Sequence, residues 1–147
     1  MTQENKDLLL RDLCARLPYG VKIHAKYIDT DTNTEVEKVG VLSMIDNDIV
    51  VAFTCDDTNC YNYVAIHEVK PYLFPLSSMT KEQEDEWDDL YIKPLCERLN
   101  PHTRKEDLML RAKAGYAATF WLMENHFDYL GLIPMGLALD ATGLNIY

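Results

Sequence analysis

Val21-Lys22-Ile23-His24-Ala25-Lys26-Tyr27 alternates apolar and polar residues without a break. In an extended chain successive side chains point to opposite faces, so Val21, Ile23, Ala25 and Tyr27 share one face and Lys22, His24 and Lys26 the other. The stretch predicts a half-buried strand. Such a strand needs sheet partners and a covering layer. Downstream, Asp29-Thr30-Asp31-Thr32-Asn33-Thr34 is a polar loop, and Val36 to Ile45 predicts a second strand with a bulge at Gly40. Asp46-Asn47-Asp48 reads as a tight turn. Ile49 to Thr54 is short and β-branched, the mark of a central strand. Cys55 to Asn59 is another turn and Tyr61 to His67 a fourth strand. Connections this short hold no crossover helix, so these strands should pair antiparallel. Val69-Lys70-Pro71-Tyr72-Leu73-Phe74-Pro75-Leu76 is extended, because each proline restricts its predecessor. It should seal the edge of the sheet or link it to the helices.

Upstream, Asn5 to Leu17 predicts an amphipathic helix. Leu9, Leu10, Leu13 and Leu17 recur at three and four, with Asp7, Arg11, Asp12 and Arg16 on the opposite, solvated side. Pro18-Tyr19-Gly20 ends it. Beyond the sheet, Thr80 with Gln83 forms a capping box, and the acidic first turns suit the helix dipole. Trp87, Leu90, Tyr91, Leu95 and Leu99 form a buried stripe, with a kink or split from Pro94 near Tyr91 to Lys93. Asn100-Pro101-His102 breaks this helix. Thr103 with Glu106 opens a further one, running to about His126 with Leu108, Ala112, Tyr116, Phe120, Met123 and Phe127 on its apolar face. Gly115 weakens it by about 1 kcal/mol relative to Ala unless close packing requires it. The apolar, punctuated tail from Phe127 to Leu139 predicts a turn and a short helix, packed on the core or serving as a dimer surface. The fold class that emerges is α+β in one domain: residues 1–20 a helix, 21–76 a small bent antiparallel sheet or SH3-like barrel of four or five strands, 77–147 two helices and the tail.

The 147 residues suffice for a core without staples, and 48% hydrophobic with 26% charged residues excludes wholesale disorder. A net charge of -10 argues against gripping nucleic-acid phosphates or anionic membranes. It favours basic partners or cationic ligands. Met1 to Asp7 is polar with no apolar signal region, and the longest apolar run, Leu130 to Leu139, is too short to span a bilayer and holds Pro134. The expectation is a cytoplasmic protein with Cys14, Cys55, Cys60 and Cys96 reduced, Cys14 and Cys96 being small buried thiols within helices.

Each constellation with chemical potential has an ordinary reading beside it. Cys55-x4-Cys60 followed by His67 offers three soft metal ligands, but zinc sites pair such a motif with a second close pair, which is missing. The ordinary reading is two cysteines flanking a turn. Asp29, Asp31, Asn33, Glu35 and Glu37 alternate like calcium ligands. Thr34 and Gly40 occupy the places where an EF-hand needs its glycine and its bidentate glutamate, which favours a solvated hairpin loop. Glu82, Glu84, Asp85, Glu86, Asp88 and Asp89 crowd one helix start. General acid–base work needs carboxylates whose environments drive their pKa values apart, which a solvated face does not supply. These six are therefore candidates for docking a basic partner, beside capping and solubility. No nucleophile elbow or phosphate loop occurs: Gly131-x4-Gly136 is followed by Leu137, not Lys. A Cys-His pairing in space is conceivable for any such set. Lys22, His24 and Lys26 form a small basic stripe, either edge charges that block aggregation or a site for an anionic ligand or acidic partner.

Three segments together resemble a family of small uncharacterised proteins of gut Bacteroides and their phages or mobile elements: Asp12-Leu13-Cys14-Ala15-Arg16-Leu17-Pro18-Tyr19-Gly20-Val21, Val69 through Thr80, and His126-Phe127-Asp128-Tyr129-Leu130-Gly131-Leu132-Ile133 with Gly136-Leu137-Ala138-Leu139. The likeness covers both ends and the middle; the central strands and the acidic helix have no match in it. The family has no assigned activity, so the resemblance implies a source and a host-facing accessory role, and no catalytic residues. The sequence expectation is a non-enzymatic protein-interaction or regulatory module with no cofactor. The alternatives are a small-molecule-binding or catalytic domain with a pocket between sheet and helices, and an acidic nucleic-acid mimic.

Overall fold

The computed structural model describes the backbone at residues 1–46, 50–55, 58–96 and 104–147, and side chains at all of these except 50, 58–60 and 104–107. Thr2 opens the first helix: its hydroxyl accepts the Asn5 amide at 3.2 Å, satisfying one of the free donors of the first turn. Helix α1 runs Gln3–Arg16, and Gly20 leaves the following 3-10 turn with φ +65, where an L side chain would be strained. Strands β1 (Lys22–Ile28), β2 (Glu35–Ile45), β3 (Val50–Cys55) and β4 (Thr58–Ala65) follow as an antiparallel meander. A 3-10 turn at Ile66–Glu68 redirects the chain into β5 (Val69–Leu73), which pairs antiparallel with β1. Helices α2 (Lys81–Cys96) and α3 (Arg104–Glu124) come next, and a two-residue strand β6 (Leu139–Asp140) adds the last strand at one edge. The sheet is open, in the order β4-β3-β2-β1-β5-β6.

The α+β class and the helix–sheet–helices order are as expected. The sheet is larger than four or five strands, is no barrel, and is mixed. The parallel pair is β5 with β6 (Tyr72 opposite Leu139), and its long connection holds α2 and α3, which is what a parallel pairing requires. Pro71 sits inside the sheet opposite Ile23, yet β6 begins to pair only at Tyr72, so Pro71 lies where β5 is still an edge.

Two cores hold the molecule. Val21, Ile23 and Ala25 of β1, with Leu42, Val51, Phe53 and Val64, meet Leu9 and Leu13 of α1 and Leu132, Leu137 and Ala138 of the tail. The second core joins Trp121, Leu122 and Phe127 to Phe74, Met79, Trp87 and Leu90. The tail is thus core, and it is built of turns and β6 rather than a short helix: its glycines at 131 and 136 take positive φ, which breaks any helical run.

Several local expectations change for identifiable reasons. Gly40 is not a bulge; it pairs with Ile23, and a Cβ there would collide with the Thr54 carbonyl oxygen and the Phe53 ring. The irregularity falls between Leu42 and Met44. The fourth strand stops at Ala65, where the Glu68 carboxylate accepts the Ala65 amide at 2.8 Å and starts the 3-10 turn that carries His67. Pro94 does not split α2, which runs unbroken from Lys81 to Cys96 with the proline in its last turn. Among the described residues of α3 the buried ones are Ala114, Ala118, Trp121 and Leu122, while Leu108 and Tyr116 are exposed. The alanines let α2 approach closely. Trp87, Leu90, Tyr91 and Leu95 of α2 are only half-buried. Cys14 and Cys96 are exposed, since Cys14 falls off the Leu9–Leu13 stripe and Cys96 ends α2. The turns at 47–48 and 56–57, Leu99, the break at 100–102 and the Thr103–Glu106 box lie outside the described residues.

Candidate functional site

The outward face of α2 is the first candidate surface. The capping box forms as read: the Gln83 amide donates to Thr80 Oγ1 at 3.3 Å and the Thr80 amide to Gln83 Oε1 at 2.9 Å. Glu82, Glu84, Asp85, Glu86, Asp88 and Asp89 are all exposed. Lys81 lies 2.7 Å from Asp85 and 3.7 Å from Glu84, and Lys93 3.3 Å from Asp89. The Asp85 hydrogen bond, with its charge, pushes the Lys81 ammonium above its usual range. Its own backbone amide and then the Thr80 hydroxyl hold Glu82 below the usual carboxylate range. Among the described residues Glu86 and Asp88 have no ion-pair partner. Ile92 is 43% exposed and stands four residues after Asp88 and three after Asp89, so the helical repeat places it amid the carboxylates. Such a surface can attract a cation and offer it an apolar contact. It holds no group poised for proton transfer.

The second candidate is a cleft of about 480 Å³ on the sheet face turned away from α1. It is lined in part by His24, Lys26, Glu35, His67 and Lys70. The basic stripe Lys22, His24 and Lys26 belongs to this face. It is not an edge, because β1 lies between β2 and β5. Cross-strand register answers its charge: Lys26 Nζ lies 2.9 Å from Glu37 and 3.2 Å from Glu35, and His24 Nε2 3.6 Å from Glu37. The hydrogen bond to Glu37 leads in raising the Lys26 ammonium, and reciprocally Lys26 holds Glu37 low. The remaining charge is mixed, so the cleft has no preference for an anion. A second cleft of about 350 Å³ lies beside Phe74, Gln83, His126 and Tyr147. The space between sheet and α1 is filled by the core.

The other sequence-level candidates are dispersed. Cys55 ends β3, Cys60 lies in β4, and His67 follows the far end of β4. The strand from Cys60 to Ala65 alone spans roughly 17 Å at about 3.3 Å per residue, so Cys60 and His67 do not share one turn. The Cys60 side chain is outside the described residues, and among those described no group of three ligands gathers for a metal. In the β1–β2 loop Asp29 Oδ1 accepts the amides of Asp31 at 2.9 Å and Thr32 at 3.0 Å. The Thr32 amide is the larger cause of the lowered Asp29 carboxyl. That carboxylate is an internal turn device.

One polar constellation was missed. Asp12 and Arg16, placed on the solvated side of the first helix, are both 0% exposed and joined at 2.8 Å. Arg16 Nη2 donates to the Phe127 carbonyl at 2.6 Å and its guanidinium lies 5.3 Å from the Tyr129 ring centre. Asp128 accepts the Leu132 and Ile133 amides at 2.7 and 2.8 Å. Nearby, Tyr147 donates to the Tyr72 carbonyl at 2.8 Å and stacks on His126 with ring centres 4.0 Å apart. Burial raises the Tyr147 phenol to about 12. These groups clasp the tail to α1 and the sheet, through the Asp12–Arg16 pair and hydrogen bonds to backbone. An i,i+4 pair of opposite charge was the one available signal in the sequence.

The chain matches no family model, no curated protein and no solved structure. No helix among the described residues is long and apolar enough to cross a membrane.

Proposed function

We propose that this chain is a non-enzymatic protein-interaction module that docks a basic, amphipathic segment of a partner protein on the outward face of α2. The observation that carries the reading is Ile92, exposed within one helical turn of Asp88 and Asp89, of which Asp88 has no ion-pair partner among the described residues. Carboxylates steer a basic partner, and an apolar contact at their centre adds affinity. A cytoplasmic setting and an accessory role in a phage or mobile element, as the sequence resemblance implies, belong to the same reading.

The test is affinity capture from native lysate at low and high salt, with the retained protein identified, purified and titrated against the chain. A basic partner that binds at low salt, weakens at high salt and is lost with Glu86→Gln/Asp88→Asn/Ile92→Ser supports the reading. Binding indifferent to both salt and the triple variant overturns it. The mixed-charge cleft of about 480 Å³ favours a second reading, a polar small-molecule site. A metabolite that raises Tm in the parent chain but not in Lys70→Ala would support that instead.

A further inference from the structure

The two edges of the sheet are unequal. On one side β6 is two residues long and offers little backbone to a neighbour. On the other, β4 runs for eight residues, Thr58-Asn59-Cys60-Tyr61-Asn62-Tyr63-Val64-Ala65. Its inner side pairs with β3, and among the described residues no element pairs with its outer side. Every second residue there presents an amide and a carbonyl that only water or another strand can satisfy. Natural edges are blunted by lysine, proline, inward charges or shortness. This one has no charged residue and no proline. Its outward side chains include Tyr61 and Tyr63, 59% and 60% exposed, with ring centres 6.5 Å apart.

We propose that β4 is a self-association edge, pairing antiparallel with β4 of a second copy of this chain to join two six-stranded sheets into one. Charge permits the occupant. Two copies, each with a net charge of -10, repel at long range, and a contact along β4 sets no carboxylate of one strand against a carboxylate of the other. No residue of β4 is charged. Symmetry selects the register. A two-fold axis makes the contact self-complementary, and with Asn62 on the axis Tyr61 of each copy lies opposite Tyr63 of the other. Directly opposed aromatic side chains are the cross-strand pairs that stabilise antiparallel sheets. A central pair of tyrosine couples therefore sits on the exposed face, flanked by backbone hydrogen bonds on both sides of the axis.

Sedimentation velocity over about a hundredfold range of concentration reads the outcome directly. The expected result is a shift from 17.0 kDa toward twice that mass, with slowed hydrogen exchange at β4 amides as the dimer fills. Tyr61→Lys/Tyr63→Lys places lysine opposite lysine and should weaken dimerisation at least about tenfold. Tyr61→Glu/Tyr63→Glu should do the same, and mixing the two variants should restore a dimer containing one of each. Circular dichroism checks that each variant is folded, which the exposure of both tyrosines favours. A wild-type chain that stays at 17.0 kDa with unprotected β4 amides overturns the proposal. So does a dimer that survives both charged variants, since its contact would then lie elsewhere. Folded variants that are monomeric apart but fail to dimerise on mixing overturn the register.

Discussion

Replacing Arg16 by Met, with Asp12 left in place, should be among the most damaging single changes this chain can suffer. Both side chains are fully buried and meet at 2.8 Å. Arg16 also donates to the carbonyls of Phe127 at 2.6 Å and Met123 at 3.4 Å, joining α1 to the end of α3 and the tail. Burial already pushes the Asp12 carboxyl above its usual range, and Arg16 is the main group holding it down. Its Oδ1 has no hydrogen-bond partner. Without Arg16 the carboxyl is stranded and takes up a proton, and the carbonyls of Met123 in α3 and Phe127 in the tail lose this donor. Breaking a buried pair this way costs about 3–5 kcal/mol. For a chain of this size that lowers Tm by roughly 10–15 °C. Asp12→Leu alone should cost about 3 kcal/mol, because it leaves a buried guanidinium with carbonyl acceptors only. The double variant leaves no buried charge behind, so it should cost less than the two singles added together by at least about 1 kcal/mol. Urea unfolding followed by tryptophan fluorescence and far-UV dichroism, with equal slopes as the check on two-state behaviour, gives all four corners of the cycle. Strict additivity, or a loss under about 1 kcal/mol for Arg16→Met, would refute the assignment of this pair as a buried clasp.

Two glycines should respond in opposite directions. A Cβ at Gly115 would meet nothing within 4 Å, so Gly115→Ala should stabilise α3 by about 0.5–1 kcal/mol, read as a raised urea midpoint at unchanged slope. Gly40→Ala drives a methyl into the Thr54 carbonyl and should cost at least about 1–3 kcal/mol in the same assay. Stability should also fall with acid through His126. Burial, then the nearby Arg16 charge, holds its imidazole down to about 4 against an ordinary 6.5. Between those values the unfolded chain binds the proton that the folded chain refuses, so this contribution is complete above pH 6.5 and is lost as pH falls toward 4. Partial exposure of the ring trims the loss to about 1–2 kcal/mol. Unfolding free energies measured across that range should slope less for His126→Gln than for the parent, and an equal slope would assign the acid sensitivity to other groups.

What the sequence made legible is what local pattern controls. The uninterrupted alternation at Val21 to Tyr27 put Val21, Ile23 and Ala25 on the buried face, because only one register hides them. The Thr80–Gln83 box was visible because both partners lie within one turn. What stayed hidden depends on segments far apart in the chain. Arg16 is buried by carbonyls more than a hundred residues away, and no helical wheel of α1 contains that information. In α3 two stripes compete, one through Leu108 and Tyr116 and one through Ala114, Ala118 and Leu122. Periodicity alone cannot rank them. The smaller residues won, because they admit a close neighbour and leave Trp121 to stack on Phe127 at 5.7 Å. Strand β6 is too short to carry any period, and its parallel pairing follows from the α2–α3 connection.

The same comparison separates stabilising features from interactive ones. Where local preference and tertiary packing agree, as in β1 and the Thr80 cap, the residues are accounted for by stability alone. In two places they do not agree. Helix α2 carries a tryptophan, a leucine and a tyrosine on one stripe, yet contributes no fully buried residue, while Ile92 faces solvent among carboxylates. Strand β4 lies at the edge of a sheet with no charged residue and no proline to blunt it. Neither feature improves the isolated chain: an exposed isoleucine gains nothing, and an unblunted edge invites aggregation. Both would become favourable with the partners proposed above, a basic protein on α2 and a second copy on β4. The two surfaces lie on different elements, so the variants at Ile92 and at Tyr61 and Tyr63 should act independently. A change in one association caused by the other pair of substitutions would mean that the surfaces are a single interface.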